Sequence, residues 1–135
     1  MAMKFSTAVR NAMLDAIESA IGTGAILKIR SGAAPASVAD ADSGDVLATL
    51  TLPSDWLAAA ASGSKAKAGT WEDTSADLTG TAAHFRIYAS DGTTPHIQGT
   101  ITGTGGGGDM ELNNVSIASG QPVTITGFTI NAGNG

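Results

Sequence analysis

Apolar residues recur at every fourth position near the start of the chain: Phe5, Val9, Met13 and Ile17, with Ala12, Ala16, Ala20 and Ile21 beside them. Arg10, Asp15 and Glu18 lie off that stripe. The spacing predicts an amphipathic helix over 7–21, with Ser6 as its N-cap and Gly22 and Gly24 as its stop. A helix of this length is marginal alone. Its apolar face is therefore expected to dock, either on the rest of the chain or on another subunit.

Past Gly24 the period changes to two. In 25–30 (AILKIR), Ile26, Lys28 and Arg30 alternate with Leu27 and Ile29, which predicts a strand. Residues 31–45 are rich in Ala, Ser, Asp and Pro and read as a long surface loop. A second strand is expected over 46–52, closed by Pro53, then a short capped helix from Ser54 through the alanine run to Gly63. Residues 65–71 are a weaker strand, followed by a polar loop over 72–80. The second half reads as a meander: strands at 83–89, 96–102, 110–117 and 123–130. Ser90-Asp91-Gly92 and Ser119-Gly120-Gln121-Pro122 supply turns. The tail 131–135 reads as frayed.

The fold class this predicts is mainly β, an antiparallel β-sandwich or jelly roll of about seven strands with an N-terminal amphipathic helix. Residues 1–24 form the helix and hinge, and 25–135 a single β-sandwich domain. The chain has 135 residues, enough for one domain. Its apolar fraction of 42% leans on alanine, and aromatics are 4%. Such a chain buries little area by itself, so contacts with neighbouring molecules are expected to add to its stability.

Charge narrows the partners. The formal net charge is −5, and the seven basic residues are scattered. That distribution does not suit nucleic acid, where affinity comes largely from neutralised phosphates. It equally lacks the polybasic cluster of a membrane-surface protein. No apolar run approaches membrane-spanning length, and Arg10, Asn11, Asp15 and Glu18 interrupt any signal-like segment over 1–21. The expectation is a soluble protein made without a classical export signal. With no cysteine, disulfides and thiolate metal sites are excluded.

Several constellations invite chemistry. Gly105–Gly108 could cradle an anion, yet the run leads into Asp109 rather than the Gly-Lys-Ser/Thr of a phosphate loop. Asp40, Asp42 and Asp45 crowd one loop as calcium ligands do, but the twelve-residue calcium-loop pattern fails at its sixth and twelfth positions, and a solvated acidic loop is expected. His84 and His96 fall on the polar phase of neighbouring strands without a third zinc ligand nearby. Glu72-Asp73 and Ser64 lack the setting of acid–base or nucleophilic catalysis. Trp56 and Trp71 read as core or interface anchors first, and as a glycan-stacking platform second. No catalytic, cofactor or metal residue is assigned, and no enzymatic activity is expected.

The segments AILKIRSGAAPAS, LATLTLPSDWLAAAASGSKA, HFRIYASDGTTPHIQGTIT and GGGGDMELNNVSIASGQPVTITGFTI resemble small proteins encoded in tailed-phage and prophage structural modules. The resemblance spans most of the chain, including the opening helix. It implies a virion component made in many copies, of a size typical of head decoration or cement proteins, which are often sandwiches or jelly rolls. The expected function is to bind and stabilise the phage head lattice. Expected partners are the major capsid protein or other virion proteins and further copies of the chain, in a virion assembled in the host bacterial cytoplasm. A tail, collar or fibre-associated receptor-binding module is the alternative. Candidate contact residues are Phe5, Val9, Met13 and Ile17 on the helix, Asp40, Asp42 and Asp45 on the loop, and Trp56.

Overall fold

The computed structural model describes residues 3–135. They form a helix, α1 (Thr7–Ile21), followed by the strands β1 (Ile26–Arg30), β2 (Val46–Thr51), β3 (Ser64–Ala66), β4 (Trp71–Asp73), β5 (Gly80–Thr81), β6 (His84–Tyr88), β7 (Pro95–Gly103), β8 (Met110–Leu112), β9 (Ser116–Ile117), β10 (Val123–Ile125) and β11 (Thr129–Asn131). The protein is mainly β. A curled five-stranded sheet has the order β2-β1-β6-β7-β8, and three two-stranded ribbons pair β10 with β4, β11 with β3, and β5 with β9. Every pairing is antiparallel except β7 with β8.

The centre of the sheet follows from alternation. Leu27 faces Ile87 and Ile29 faces Phe85 across β1 and β6, and all four are buried on the core side. The other phase places Lys28 opposite Arg86 and Arg30 opposite His84. Like charges directly opposed destabilise a ladder unless something neutralises them. Yet all five residues of β6 are buried, so this polar face is covered.

The core is threaded by aromatics. Trp56 and Trp71 lie 6.1 Å apart between ring centroids, Trp71 and Phe128 5.7 Å, and Phe128 meets Phe85 edge-on at 5.6 Å. Both indoles stay hydrogen-bonded inside. Trp56 Nε1 donates to Gly22 O and Trp71 Nε1 to Ala68 O, each at 3.1 Å.

Helix α1 starts and stops where its caps dictate. The Ser6 hydroxyl accepts from Val9 N at 3.2 Å, and Gly22 ends the helix at φ +91°, its N–H donating to Glu18 O.

Other local expectations are corrected. No helix forms between Ser54 and Gly63. Trp56 and Leu57 are drawn into the core, Leu57 bridges to Lys67, and Ala58 N donates to Ala66 O. Four alanines bring helix propensity but little apolar area, and burial of the two large side chains in extended backbone outweighs it. The expected strand over 65–71 is two strands, β3 and β4. Residues 110–117 divide around Asn113-Asn114, where the Asn114 side chain accepts from Ser116 N. Residues 123–130 break at Thr126–Phe128, so β10 and β11 pair with different strands and Phe128 turns into the core. The tail is tied down: Phe5 N donates to Asn134 O, and Arg10 grips Ala132 O through Nε and Nη2.

Candidate functional site

Two features carry the chemistry of this chain: a loop latched over the polar face of the sheet, and the outward face of α1.

The loop Ser31–Asp45 closes on itself. Ser31 N donates to Asp45 O at 3.1 Å, and Asp45 N to Ser31 Oγ at 3.0 Å. Gly44 makes the closure possible, with φ +70° and no room for a Cβ, which would fall on Ser31 O. A loop with joined ends that packs as a unit is an Ω-loop, which we call the strap.

The strap lies on the side chains that β1, β6 and β7 turn away from the core. Asp42 is its latch. One carboxylate oxygen accepts from Arg86 Nη1 at 2.9 Å and from the Tyr88 hydroxyl at 2.7 Å, the other from Arg30 Nη2 at 3.0 Å. Strap carbonyls take most of the remaining donors. Arg86 reaches Asp40 O and Ser37 O, Arg30 reaches Gly44 O, and the Gln98 amide reaches Pro35 O. Arg86 Nε is held by Gln98 Oε1. Lys28, the like charge opposite Arg86, bends away to Gly92 O and sits 4.9 Å over the Tyr88 ring. Buried guanidiniums with unmet donors would be costly, so the strap is part of the folded sheet rather than an appendage.

Electrostatics follow the geometry. Burial works to raise the Asp42 pKa, but the Tyr88 hydroxyl and the two guanidiniums outweigh it and hold the carboxyl below its ordinary value. Burial pushes the Tyr88 phenol up, and its bond to Asp42 adds to that. His84 is pushed down, first by burial and then by the nearby Arg30 and Arg86, against the opposing bond to Gly32 O. Its Nδ1 lies 2.7 Å from that carbonyl, so Nδ1 carries the hydrogen, and Nε2 is buried without a partner among the described residues.

These positions change the reading of the acidic loop. Asp42 is neutralised by arginines rather than offered to a cation, so it is not a free, solvated carboxylate. Asp40 accepts from Ser37 N, and Asp45 closes the strap through its backbone. His84 and His96 do not face each other: His84 stands opposite Thr100, and His96 lies exposed toward the turn. The glycine run also binds an anion of its own, since Gly105 N and Gly107 N donate to the Glu111 carboxylate. Among the described residues no group of three or more His, Cys, Asp or Glu could hold a metal ion.

Helix α1 turns only part of its expected apolar stripe toward the body. Its contacts with the body are largely polar: Arg10 with Ala132 O, Asn11 with Gly63 N, Asp15 with Ala60 N and Lys65 Nζ, Glu18 with Leu57 N. Only Leu14 and Ile21 are fully buried, with Ile17 packed half-buried against the core. The predicted stripe is therefore divided. Ile17 and Phe5 are half-buried, whereas Val9 and Met13 are 46% and 49% exposed, and Ala12, Ala16 and Ala20 join them on the surface. Trp56, a candidate contact residue, is fully buried and is withdrawn from that set, and Trp71 is buried with it.

Family models, curated proteins and solved structures yield no match. The site must be read from its own chemistry. Among the described residues no helix is long and apolar enough to cross a membrane.

The sequence reading missed Arg30, Arg86, Tyr88 and Gln98 as one network, although a signal was present. Alternation places Lys28, Arg30, Arg86 and Tyr88 on one phase of two strands whose other phase is core. Cations there require a carboxylate from elsewhere in the chain, and the acidic segment nearest Arg30 is 40–45.

Proposed function

We propose that the protein is a structural virion subunit, and most concretely a head decoration or cement protein that binds the capsid lattice and stabilises it through added contact area. The observation that carries this reading is the outward face of α1. Val9, Ala12, Met13, Ala16 and Ala20 form a neutral surface along a helix about 22 Å long, while the charged residues of the same helix are spent on holding it to the body. A soluble domain ordinarily turns those two faces the other way round. Small alanine side chains let another chain approach closely, and Val9 and Met13 supply the apolar anchors. The resemblance to tailed-phage structural proteins supports the same partner class, the major capsid protein and further copies of this chain.

We read the finer architecture as a sandwich, with the five-stranded sheet as one layer and the three ribbons as the other. The contacts of Phe85 with Phe128 and of Phe128 with Trp71 support that reading. The receptor-binding alternative loses its stacking platform, since both tryptophans are buried.

The test is co-sedimentation of the purified protein with assembled shells of the major capsid protein. Binding is expected for the natural chain and a loss of at least tenfold for the double variant Val9→Lys, Met13→Glu, whose thermal midpoint should not fall. A protein that stays monomeric and ignores such shells, or a variant that binds as well as the natural chain, overturns the proposal.

A further inference from the structure

Two strand edges face an open seam in this fold. On one lip, β7 pairs with β6 over Pro95–Thr100, while among the described residues its other edge meets β8 only over Ile101–Gly103. Ile101 N donates to Ala83 O across to the β6 side, and Thr100 N points the other way, where the Asp109 carboxylate accepts it at 3.0 Å. By strand alternation the amide and carbonyl of Gln98 also point away from β6. On the other lip, among the described residues β11 pairs only with β3. Lys67 N donates to Phe128 O, and Ala132 N to Gly63 O, so the main-chain groups of Thr129 and Asn131 point away from β3.

Between the lips lies a cavity of about 520 Å³ lined by Ile17, Phe85, Ile97, Phe128 and Ile130 among others. A neighbouring cavity of about 530 Å³ shares Asp109, Phe128, Thr129 and Asn131 with it, making one continuous groove. The aromatic pair Phe85 and Phe128 therefore forms the floor of a groove whose rims carry outward main-chain groups at Gln98 on β7, next to the Asp109 cap on Thr100, and at Thr129 and Asn131 on β11. The charged residues lining it are Asp109 and Glu111, both acidic.

We infer that this seam is a strand-addition site for an extended polypeptide segment of a partner protein, apolar at alternate positions and carrying lysine or arginine between them. Main-chain pairing to the free edge of β7 supplies affinity that does not depend on side-chain identity. Alternate side chains point down onto Phe85 and Phe128, and those between them face outward, toward the acidic rim. The charge argues against self-pairing through this groove, because two copies would bring their Asp109 and Glu111 carboxylates together. The inference concerns a different surface from the α1 face and does not depend on it.

The experiment titrates the intact protein with two peptides by calorimetry: acetyl-Val-Lys-Val-Thr-Val-Lys-amide, and the same peptide with glutamate in place of lysine. The lysine peptide is expected to bind at least about tenfold more tightly. Methylating its alternate backbone nitrogens should remove that binding by a similar factor, because the donors that pair with the strand edge are lost. Thr129→Trp, which fills one lip with an exposed side chain, should block the lysine peptide while leaving the thermal midpoint and capsid-shell binding unchanged. Equal binding of the two peptides, full binding by the methylated one, or no binding up to about 1 mM overturns the inference.

Discussion

Lys65 Nζ donates to the Asp15 carboxylate at 2.7 Å, with the Lys65 side chain 2% exposed and that of Asp15 half in solvent. Glu18 approaches the same ammonium at 3.6 Å. The pair joins α1 to β3 beside the buried Leu14. A buried ammonium exists only because two carboxylates of one helix face meet it.

Lys65→Ala should therefore loosen the helix and lower stability by about 1–2 kcal/mol, mainly through lost packing of the buried aliphatic stem, since the Asp15 carboxylate left behind is half in solvent. The Lys65 bond and the Ala60 amide hold the Asp15 carboxyl below its ordinary value of 3.8. A depressed carboxyl contributes stability above its unfolded value and loses it as pH falls through its folded value. Protection of α1 amides, taken relative to their intrinsic exchange rate at each pH, should fall below about pH 4 in the natural chain and be low already at neutral pH in Lys65→Ala. Unchanged α1 protection in the variant would remove the pair from its anchoring role.

Asp42 makes a comparable demand on the strap. Asp42→Asn keeps the shape but leaves Arg30 and Arg86 without a counter-charge. The side chain of Asp42 is 37% exposed, so water moderates the loss. About 2 kcal/mol is expected, discounted from the cost of breaking a fully buried pair. The sign follows from the depressed pKa: the contribution is complete above the ordinary carboxylate value and disappears as pH falls below it. Urea unfolding and exchange of residues 31–45 measure both. A variant within about 0.5 kcal/mol of the natural chain would show that the strap is held by its backbone bonds alone.

His84 titrates in the opposite chemical sense with the same consequence for pH. Its folded pKa lies below the ordinary 6.5, so the unfolded chain binds the proton more readily. Stability should decline as pH falls below about 6.5 and level off once the folded imidazole itself protonates. His84→Asn, which can still donate to Gly32 O, should flatten that segment of the stability curve. A slope that persists in the variant assigns the effect to another group.

The sequence made the regular elements readable where one periodicity governed a whole segment. Ser6 and Gly22 bound α1 as a capping hydroxyl and a positive-φ glycine require, and alternation marked Leu27 with Ile29 and Phe85 with Ile87 as strand faces, without showing that the two strands pair. It misled where a residue faced competing demands. Val9 and Met13 look like a buried stripe because periodicity reports a face, not which way that face turns. The inward turn of α1 is decided by long-range partners such as Lys65 and Ala132, which no local pattern contains. The strap was equally hidden, because its anchor depends on Arg30 and Arg86 meeting Asp42 across distant stretches of chain.

Trp56 is the clearest case for separating packing from binding. It is fully buried against Trp71, and its indole N–H is satisfied by Gly22 O at the end of α1. Trp56→Ala should cost about 3–5 kcal/mol by opening a cavity beneath the helix terminus. Trp56→Phe should cost less, since the ring still fills much of the space and only the bond to Gly22 O is lost. Because the residue never reaches the surface, Trp56→Phe should leave the proposed capsid-shell binding as it is in the natural chain wherever the protein remains folded. Chemical denaturation paired with shell co-sedimentation distinguishes the roles. A stable Trp56→Phe protein that no longer binds shells would return Trp56 to the interface.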